Sequence, residues 1–299
     1  MTSTDQNWYA TCRGDAPRLA WIHSLNLPLA ALAYCRESGQ VVAADSRGGM
    51  YVIERSGDVG ALARSNEDFR GLAWSDDGSC GFALAGENQL HWIRSDLTVR
   101  ATIELPEPSL AVTSEGFGEY AAVSLSNGMN LIFDGPRQPL RHFNSTRPLT
   151  HLAFLAEEAG IVAIADYGIV CRYDFRGKME WQANTFSSVG DFSVAGDGDS
   201  VLVAGFGQGL LRYDESGSSI GSYQLGGTVS RVATSYSGNR TAAATQEMEL
   251  HWLGSGGQIL WTGKVKEEPS FLACDPWGLG MICGFSNGLV ARLEWPLEE

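Results

Sequence analysis

Apolar positions recur along this chain at a fixed spacing of forty residues. One series of apolar residues comprises Leu32, Leu72, Val112, Leu152, Phe192, Val232 and Leu272. A second series, of large residues, comprises Ile53, Ile93, Phe133, Tyr173, Tyr213, Leu253 and Leu293. No insertion or deletion interrupts either series. A period of this length indicates an array of structural repeats, here seven copies of one supersecondary unit.

Each repeat contains four short apolar runs separated by turn residues, which predicts four β-strands per copy. The centre of the second strand is small in every copy, as expected where neighbouring sheets crowd around a central axis: Ala43, Ala83, Val123, Ala163, Val203, Ala243 and Cys283. Glycines such as Gly78 and Gly118 follow the first strand and predict a turn with positive φ. Four dipeptides after the second strand predict two-residue hairpins with primed turns: Asn127-Gly128, Asn287-Gly288, Tyr167-Gly168 and Gly48-Gly49.

Tryptophans in the fourth strand predict how the two ends of the chain meet. Trp181 and Trp261 lie two periods apart, and Trp21 precedes Trp181 by four periods. Residues 17–27 therefore resemble a fourth strand without its own first three strands, whereas the seventh copy stops before its fourth strand. We expect the N-terminal strand to complete the last blade and close a ring, since closure removes an exposed sheet edge. An open solenoid, which would expose both ends, is the alternative.

On these features the chain resembles the WD-repeat and quinoprotein-like (PQQ-like) β-propellers over roughly residues 17–295. The resemblance is carried by the repeat period, by third strands that end in Tyr-Asp at residues 173–174 and 213–214, and by the pattern Asp174…Gly177…Trp181. The chain has no Gly-His and no Trp-Asp dipeptide, so the hydrogen-bonded tetrad of WD repeats is not carried over. The resemblance implies an all-β, seven-bladed propeller of four-stranded blades.

The predicted organisation is a single β-propeller domain over residues 1–299. It comprises an N-terminal extension at 1–16, the closing strand at 17–27 and seven repeats at 28–295. The N-terminus has neither a basic start nor an apolar run, and no stretch approaches the length of a membrane span, so we expect a cytoplasmic protein. The six cysteines show no CxxC pair and are expected to be free thiols.

A formal net charge of −14 bears on the class of partner. Such a surface repels nucleic acid and anionic lipid and favours a basic protein or peptide. The alternative is that the charge only keeps the protein soluble.

Three polar residues near the start of consecutive first strands form a candidate channel cluster. They are His151, Asp191 and Arg231, at a position where other copies have Ala, Gly or Phe. One hypothesis is a polar ligand pocket whose histidine titrates near neutrality. The other is a network of polar contacts between blades that satisfies buried groups.

The sequence predicts no metal site, no cofactor and no catalytic residue. The acidic turns at Asp76-Asp77-Gly78 and Asp197-Gly198-Asp199 are too short for a calcium loop. The glycine cluster at 205–209 opens no helix, so it is not a nucleotide loop. His91 and His251 repeat within Leu-His-Trp, which favours a structural role in the blades.

Aromatic and arginine residues in the turns are the candidate binding residues, because such side chains anchor protein interfaces. On one face these are Arg70, Arg147, Tyr167, Phe186 and Phe206, and on the opposite face Trp277. The sequence thus favours a non-enzymatic interaction platform, a scaffold or complex subunit that docks a protein or peptide on one face. The alternative is a small-molecule-binding or catalytic propeller, a quinoprotein-like dehydrogenase or a lactonase-type hydrolase, that uses the central channel.

Overall fold

The computed structural model describes residue 9 and residues 12–165, 167–185, 187–196 and 198–296. These residues form seven antiparallel sheets of four strands each, one of which gains a short fifth strand, and they contain no helix. The fold is a seven-bladed β-propeller, as the repeat period predicts. Within the described ranges, therefore, no helix is available to span a membrane.

The chain divides into two compact units. The four-blade unit comprises Asn26–Ser188 with Ser216–Ser218 and contains blades 1 to 4. In chain order its strands are β3 Leu29–Tyr34, β4 Val41–Asp45, β5 Gly49–Ile53, β6 Val59–Arg64, β7 Phe69–Trp74, β8 Cys80–Ala85, β9 Gln89–Arg94, β10 Val99–Glu104, β11 Ser109–Ser114, β12 Ala121–Leu125, β13 Met129–Phe133, β14 Arg141–Asn144, β15 Leu149–Phe154, β16 Gly160–Ala165, β17 Ile169–Asp174 and β18 Met179–Asn184.

The three-blade unit comprises the described residues of Met1–Leu25, Val189–Glu215 and Ser219–Glu299 and contains blades 5 to 7. Its strands are β1 Arg13–Gly14, β2 Arg18–Ser24, β19 Val189–Val194, β20 Val201–Gly205, β21 Gly209–Tyr213, β22 Ser219–Tyr223, β23 Val229–Thr234, β24 Arg240–Thr245, β25 Glu249–Gly254, β26 Ile259–Lys264, β27 Pro269–Cys274, β28 Gly280–Phe285 and β29 Leu289–Glu294.

The small residues of the second strands lie where the blades pack most closely. All seven, from Ala43 to Cys283, have no exposed surface. The apolar clusters run from blade to blade within each unit, and in blades 1 and 2 one cluster joins Val42 and Ala44 to Ala83 and Ala85. The expectation that Cys283 is a packing residue is confirmed.

The predicted closing strand is confirmed within the three-blade unit. β2 pairs antiparallel with β29, and Trp21 lies opposite Arg292. Trp261 of blade 6 holds the equivalent position opposite Trp252. In both pairs a one-residue bulge directly precedes the tryptophan, so the two strands share one register, as the repeat predicts. The last blade is therefore built from β27, β28, β29 and β2.

Part of the predicted N-terminal extension also joins a sheet. β1 pairs with the outer strand of blade 6, with Gly14 opposite Trp261. Gly14 has φ +90°, and a Cβ at this position would lie 2.0 Å from the Leu260 carbonyl oxygen. Only glycine fits this close approach, so a short fifth strand rests on one residue that has no side chain.

The turns after the first strand follow the prediction, whereas the turn after the second strand of blade 3 does not. Gly78 and Gly118 both have positive φ. At Asn127-Gly128 the amide of Gly128 donates to the Leu125 carbonyl over 3.0 Å, and Gly128 alone of the pair has positive φ. A primed two-residue turn would need Asn127 in the left-handed region too, so the prediction is wrong at this dipeptide. The observed form there is the longer hairpin, which ends on a left-handed glycine. At Tyr167-Gly168 both residues have positive φ, as a primed turn requires.

Candidate functional site

Among the described aromatic residues of the four-blade unit, Tyr167 is the most exposed, with 78% of its surface accessible. It lies in the turn between β16 and β17 and has φ +65°. The left-handed conformation costs a non-glycine residue about 1–2 kcal/mol. The corresponding residues of the other blades in this unit, Arg47, Glu87 and Asn127, do not have positive φ. The repeat therefore does not impose this conformation on Tyr167.

Arg147 covers part of the Tyr167 ring. Its guanidinium carbon lies 5.3 Å from the ring centroid, which is a cation–π contact. Ser145 stabilises the Arg147 turn, because its hydroxyl donates to the Arg147 carbonyl at 2.7 Å and to the Gly128 carbonyl at 3.0 Å. Arg147 and Tyr167, both candidate binding residues from the sequence, are thus in contact.

The turns around this pair form one end of the four-blade unit. The start of each first strand pairs with the end of the second strand in the same blade, as Leu149 does with Ala165. Neighbouring blades meet at the same end, where the Ser124 hydroxyl donates to the Leu149 carbonyl at 2.6 Å. We define the Tyr167 surface as Arg147, Tyr167 and the exposed carboxylates at this end, Asp68, Glu87 and Glu107.

Arg70 lies at the same end but is engaged between blades. Its Nη2 donates to the Glu87 carbonyl at 2.6 Å and to the Ser109 hydroxyl at 3.2 Å. These contacts tie blade 2 to the start of β11. Arg70 therefore stabilises the contact between blades 2 and 3, in addition to any part in binding.

The remaining aromatic candidates differ in their surroundings. Phe206 lies in the turn between β20 and β21 and is only marginally exposed, since its ring packs near Gly190. Trp277 lies in the turn between β27 and β28 and is 77% exposed. Phe186 lies outside the described residues.

The channel candidates Asp191 and Arg231 contact backbone groups of neighbouring blades in the three-blade unit. Asp191 Oδ2 accepts a hydrogen bond from the Val232 amide at 3.1 Å. Arg231 Nε donates to the Ser270 carbonyl at 2.6 Å, and its Nη1 donates to the Gly190 carbonyl at 3.2 Å. Arg231 thus bonds to the blades on both sides of its own. These are contacts of the kind that a network between blades requires.

His151 belongs to the four-blade unit, where its Nδ1 lies 3.0 Å from the Thr150 hydroxyl. The hydrogen bonds of Asp191 and Arg231 are those of a polar network between blades 5 to 7. A ligand pocket at His151 stays a prediction.

Four of the six cysteines and both repeated histidines are buried. All six cysteines are free thiols, as predicted. Burial raises the pKa of the Cys35 thiol to about 12 and that of Cys171 to about 11, so both stay protonated at neutral pH. Burial lowers the pKa of the His251 imidazole, although Glu249 opposes the shift. No group of three or more His, Cys, Asp or Glu side chains in the described part of the chain is arranged to hold a metal ion.

A cavity of about 340 Å³ in the three-blade unit was not predicted. Its walls include Trp252, Trp277, Trp295, Arg240 and Asp15. Only Trp277 was singled out from the sequence. Trp295 follows the third strand of blade 7, where the other copies have no tryptophan. This departure from the repeat could have identified the cavity from the sequence.

No protein-family model matches this chain, and no curated protein is significantly similar to it. A function must therefore be argued from the geometry and charge of the chain itself.

Proposed function

We propose that this protein is a non-enzymatic interaction platform that docks a protein or peptide on the Tyr167 surface. A β-propeller is compatible with such a role because its turns are held by rigid blades, so little conformational entropy is lost on binding. At the finer level we propose a propeller of the WD-repeat or quinoprotein-like kind, on the motifs given above.

The exposure of Tyr167 carries the proposal. A tyrosine that is 78% exposed, in a left-handed conformation that the repeat does not require, has no packing reason to be there. Strained residues that their surroundings hold in place tend to mark functional sites. Tyrosine and arginine are also the residues that most often anchor interfaces.

Charge suggests the chemistry of the partner. Asp68, Glu87 and Glu107 are exposed carboxylates at the same end of the four-blade unit as the Arg147–Tyr167 pair, and the whole chain carries a net charge of −14. We propose a basic protein or peptide whose cationic side chains meet these carboxylates while an apolar group packs on Tyr167. Neither nucleic acid nor an anionic membrane suits this surface. We place the protein in the cytoplasm as part of the same proposal.

The experiment compares partner capture by the wild-type protein, Tyr167→Gly and Met248→Gly. Tyr167→Gly removes the anchor and relieves the backbone strain, so the free energy of unfolding should change by less than about 1 kcal/mol. Capture of a stoichiometric partner from lysate should weaken by at least about tenfold. Rising ionic strength should also weaken it, since exposed ion pairs are screened.

Met248→Gly is the matched control. Met248 also has positive φ, at 63°, and lies in a turn after a second strand, but it belongs to the three-blade unit. It should leave capture unchanged. Equal capture by wild type and Tyr167→Gly would overturn the proposal.

A further inference from the structure

The cavity beside Trp277 has fixed aromatic walls. Trp295 and Trp252 stack with their ring centroids 4.5 Å apart and their planes at 5°. The Trp295 indole Nε1 donates to the Asp15 carbonyl at 2.8 Å, and its backbone amide donates to the Leu279 carbonyl at 2.8 Å. Both ends of Trp295 are therefore anchored, and the cavity is formed before any ligand arrives.

Trp277 forms the outer wall of this cavity and is largely uncovered. Its amide donates to Asp275 Oδ1 at 3.0 Å, which orders the turn. The next residue, Gly278, has φ +71°, and a Cβ there would lie 2.6 Å from Arg240 Cγ. The absence of a side chain at Gly278 thus lets the stem of Arg240 lie against the Trp277 turn. An exposed indole and a guanidinium group share one cavity.

Two charged residues of opposite sign line this cavity, Arg240 and Asp15. Two further carboxylates, Asp275 and Glu294, belong to the same three-blade unit and contact arginines. Glu294 accepts from Arg18 at 2.5 Å and from Arg292 at 2.9 Å, and Asp275 Oδ2 lies 3.4 Å from Arg292. Asp275 and Glu294 are therefore engaged by arginines that do not line the cavity, whereas Arg240 is a wall of the cavity itself.

Two features of the cavity walls disfavour a cationic ligand, and they stand against the one carboxylate of the lining, Asp15. The indoles of Trp252 and Trp295 face each other, so those two ring faces cannot receive a cation. Arg240 would also repel it. An anionic group beside an aromatic ring avoids both problems, because indole edges carry partial positive charge and a guanidinium binds carboxylates well.

We propose that this cavity binds a peptide segment that places one aromatic side chain next to a carboxylate. A volume of about 340 Å³ lies at the lower end of the range for small-ligand sites, which suits a single large side chain. The ring packs between Trp277 and the Trp295 stack, and the carboxylate pairs with Arg240. The site shares no residue with the Tyr167 surface and goes beyond the proposed docking function.

The test uses three small probes on the full chain. N-acetylphenylalanine carries both the ring and the carboxylate, N-acetylphenylalanine amide lacks the carboxylate, and N-acetylarginine amide carries a cation instead. Binding is followed by ligand-observed NMR and by the tryptophan fluorescence of the protein. The acid should bind in the millimolar range and about tenfold more tightly than the amide, since a charge-assisted pair contributes on this scale.

Variants assign the binding to the cavity. Trp277→Ala should weaken binding of the acid about tenfold by removing one aromatic wall. Arg240→Gln should make acid and amide bind equally, and thermal unfolding checks that this half-buried substitution leaves the fold intact. Phe117→Ala is the matched control, because Phe117 occupies the same position in blade 3 as Trp277 in blade 7, is also 77% exposed and does not line this cavity.

Three outcomes would overturn the proposal. The acid and the amide could bind the wild-type protein equally, the arginine amide could bind best, or Trp277→Ala could bind as the wild type does. None of them bears on capture at the Tyr167 surface, so the two proposals fail separately.

Discussion

Leu97 and Met248 show how the repeat acts on single residues. Both have positive φ, at 66° and 63°, although neither is glycine. Leu97 occupies the position of Gly57 and Gly177 in other copies, and Met248 that of Gly128, and all three glycines have positive φ. The turn geometry is therefore inherited from the repeat and overrides the preference of the residue. Tyr167 differs from the corresponding residues of blades 1 to 3, although Gly207, at the same position in blade 5, shares its positive φ.

Acid sensitivity is a prediction at the scale of the residue. His251 is buried, with its Nδ1 3.1 Å from the Thr262 hydroxyl, and burial lowers the pKa of its imidazole below the ordinary value of about 6.5. The unfolded chain thus binds the proton more tightly, so the free energy of unfolding should fall as the pH drops below about 6.5. Burial lowers the pKa of His91 in the same way, with Glu67 opposing it.

Urea unfolding of the wild type and His251→Gln at about pH 7.5 and pH 5 measures this effect. His251→Gln should lose less stability between the two pH values than the wild type, because one of the two buried histidines no longer titrates. The exposed His142 is the control, and His142→Gln should follow the wild type. Equal pH dependence in all three proteins would contradict the prediction.

At the scale of the element, β2 decides whether the last blade is complete. This strand lies 276 residues before its partner in sequence, as the contact between Arg18 and Glu294 shows. Trp21, at its centre, is buried and lies opposite Arg292 of β29. The link between the two ends of the chain therefore rests mainly on one strand.

Removal of β2 should leave β29 as an open edge. We expect a chain that lacks residues 1–24 to aggregate, since an unpaired edge templates pairing with other chains. A synthetic peptide of residues 15–27 added during refolding should restore soluble protein, and the same peptide with Trp21→Ala should not, because loss of a buried tryptophan costs about 3–5 kcal/mol. Size-exclusion chromatography measures the soluble fraction. A chain lacking only residues 1–8 is the control, and soluble monomer without residues 1–24 would refute the role of β2.

At the scale of the whole molecule, the two compact units raise the question of cooperativity. Each unit has its own blades and its own apolar clusters. We propose that residues 1–299 nevertheless form a single domain, as the uninterrupted repeat predicts. A repeat array transmits stability from each blade to the next, so the blades are expected to unfold together.

Calorimetry tests the single domain. We expect one transition with a heat-capacity change of about 4 kcal/mol/K, the value for a chain of this length. Tyr223→Ala, which removes a hydroxyl contact with the Ser255 carbonyl in the three-blade unit, should shift the whole transition to lower temperature. Two thermal transitions, of which Tyr223→Ala lowers the midpoint temperature of only one, would show two domains.

The sequence predicted most of the fold and little of the candidate sites. The forty-residue series, the small second-strand residues and Trp21 were sufficient for seven four-stranded blades and for the pairing of β2 with β29, because these features repeat and each copy supports the others. β1 was not predicted, since two residues without a pattern carry no periodicity. The primed turn at Asn127 was wrong because the hairpin adds one residue before its left-handed glycine. The site predictions named Tyr167 and Arg147 singly, and their contact was not foreseen.

The sequence alone determined the features that recur in every copy. These are the number of strands, their order and which residues are buried between the sheets. A hydrophobic pattern of fixed period specifies these features, because a slip by one residue would turn every buried side chain outward. Tertiary structure decided what occurs once. Arg147 meets Tyr167 across two turns, and the cavity joins Asp15 to Arg240 and Trp295 from distant parts of the chain. Such contacts depend on the distances between turns of different blades, and no local pattern encodes those distances.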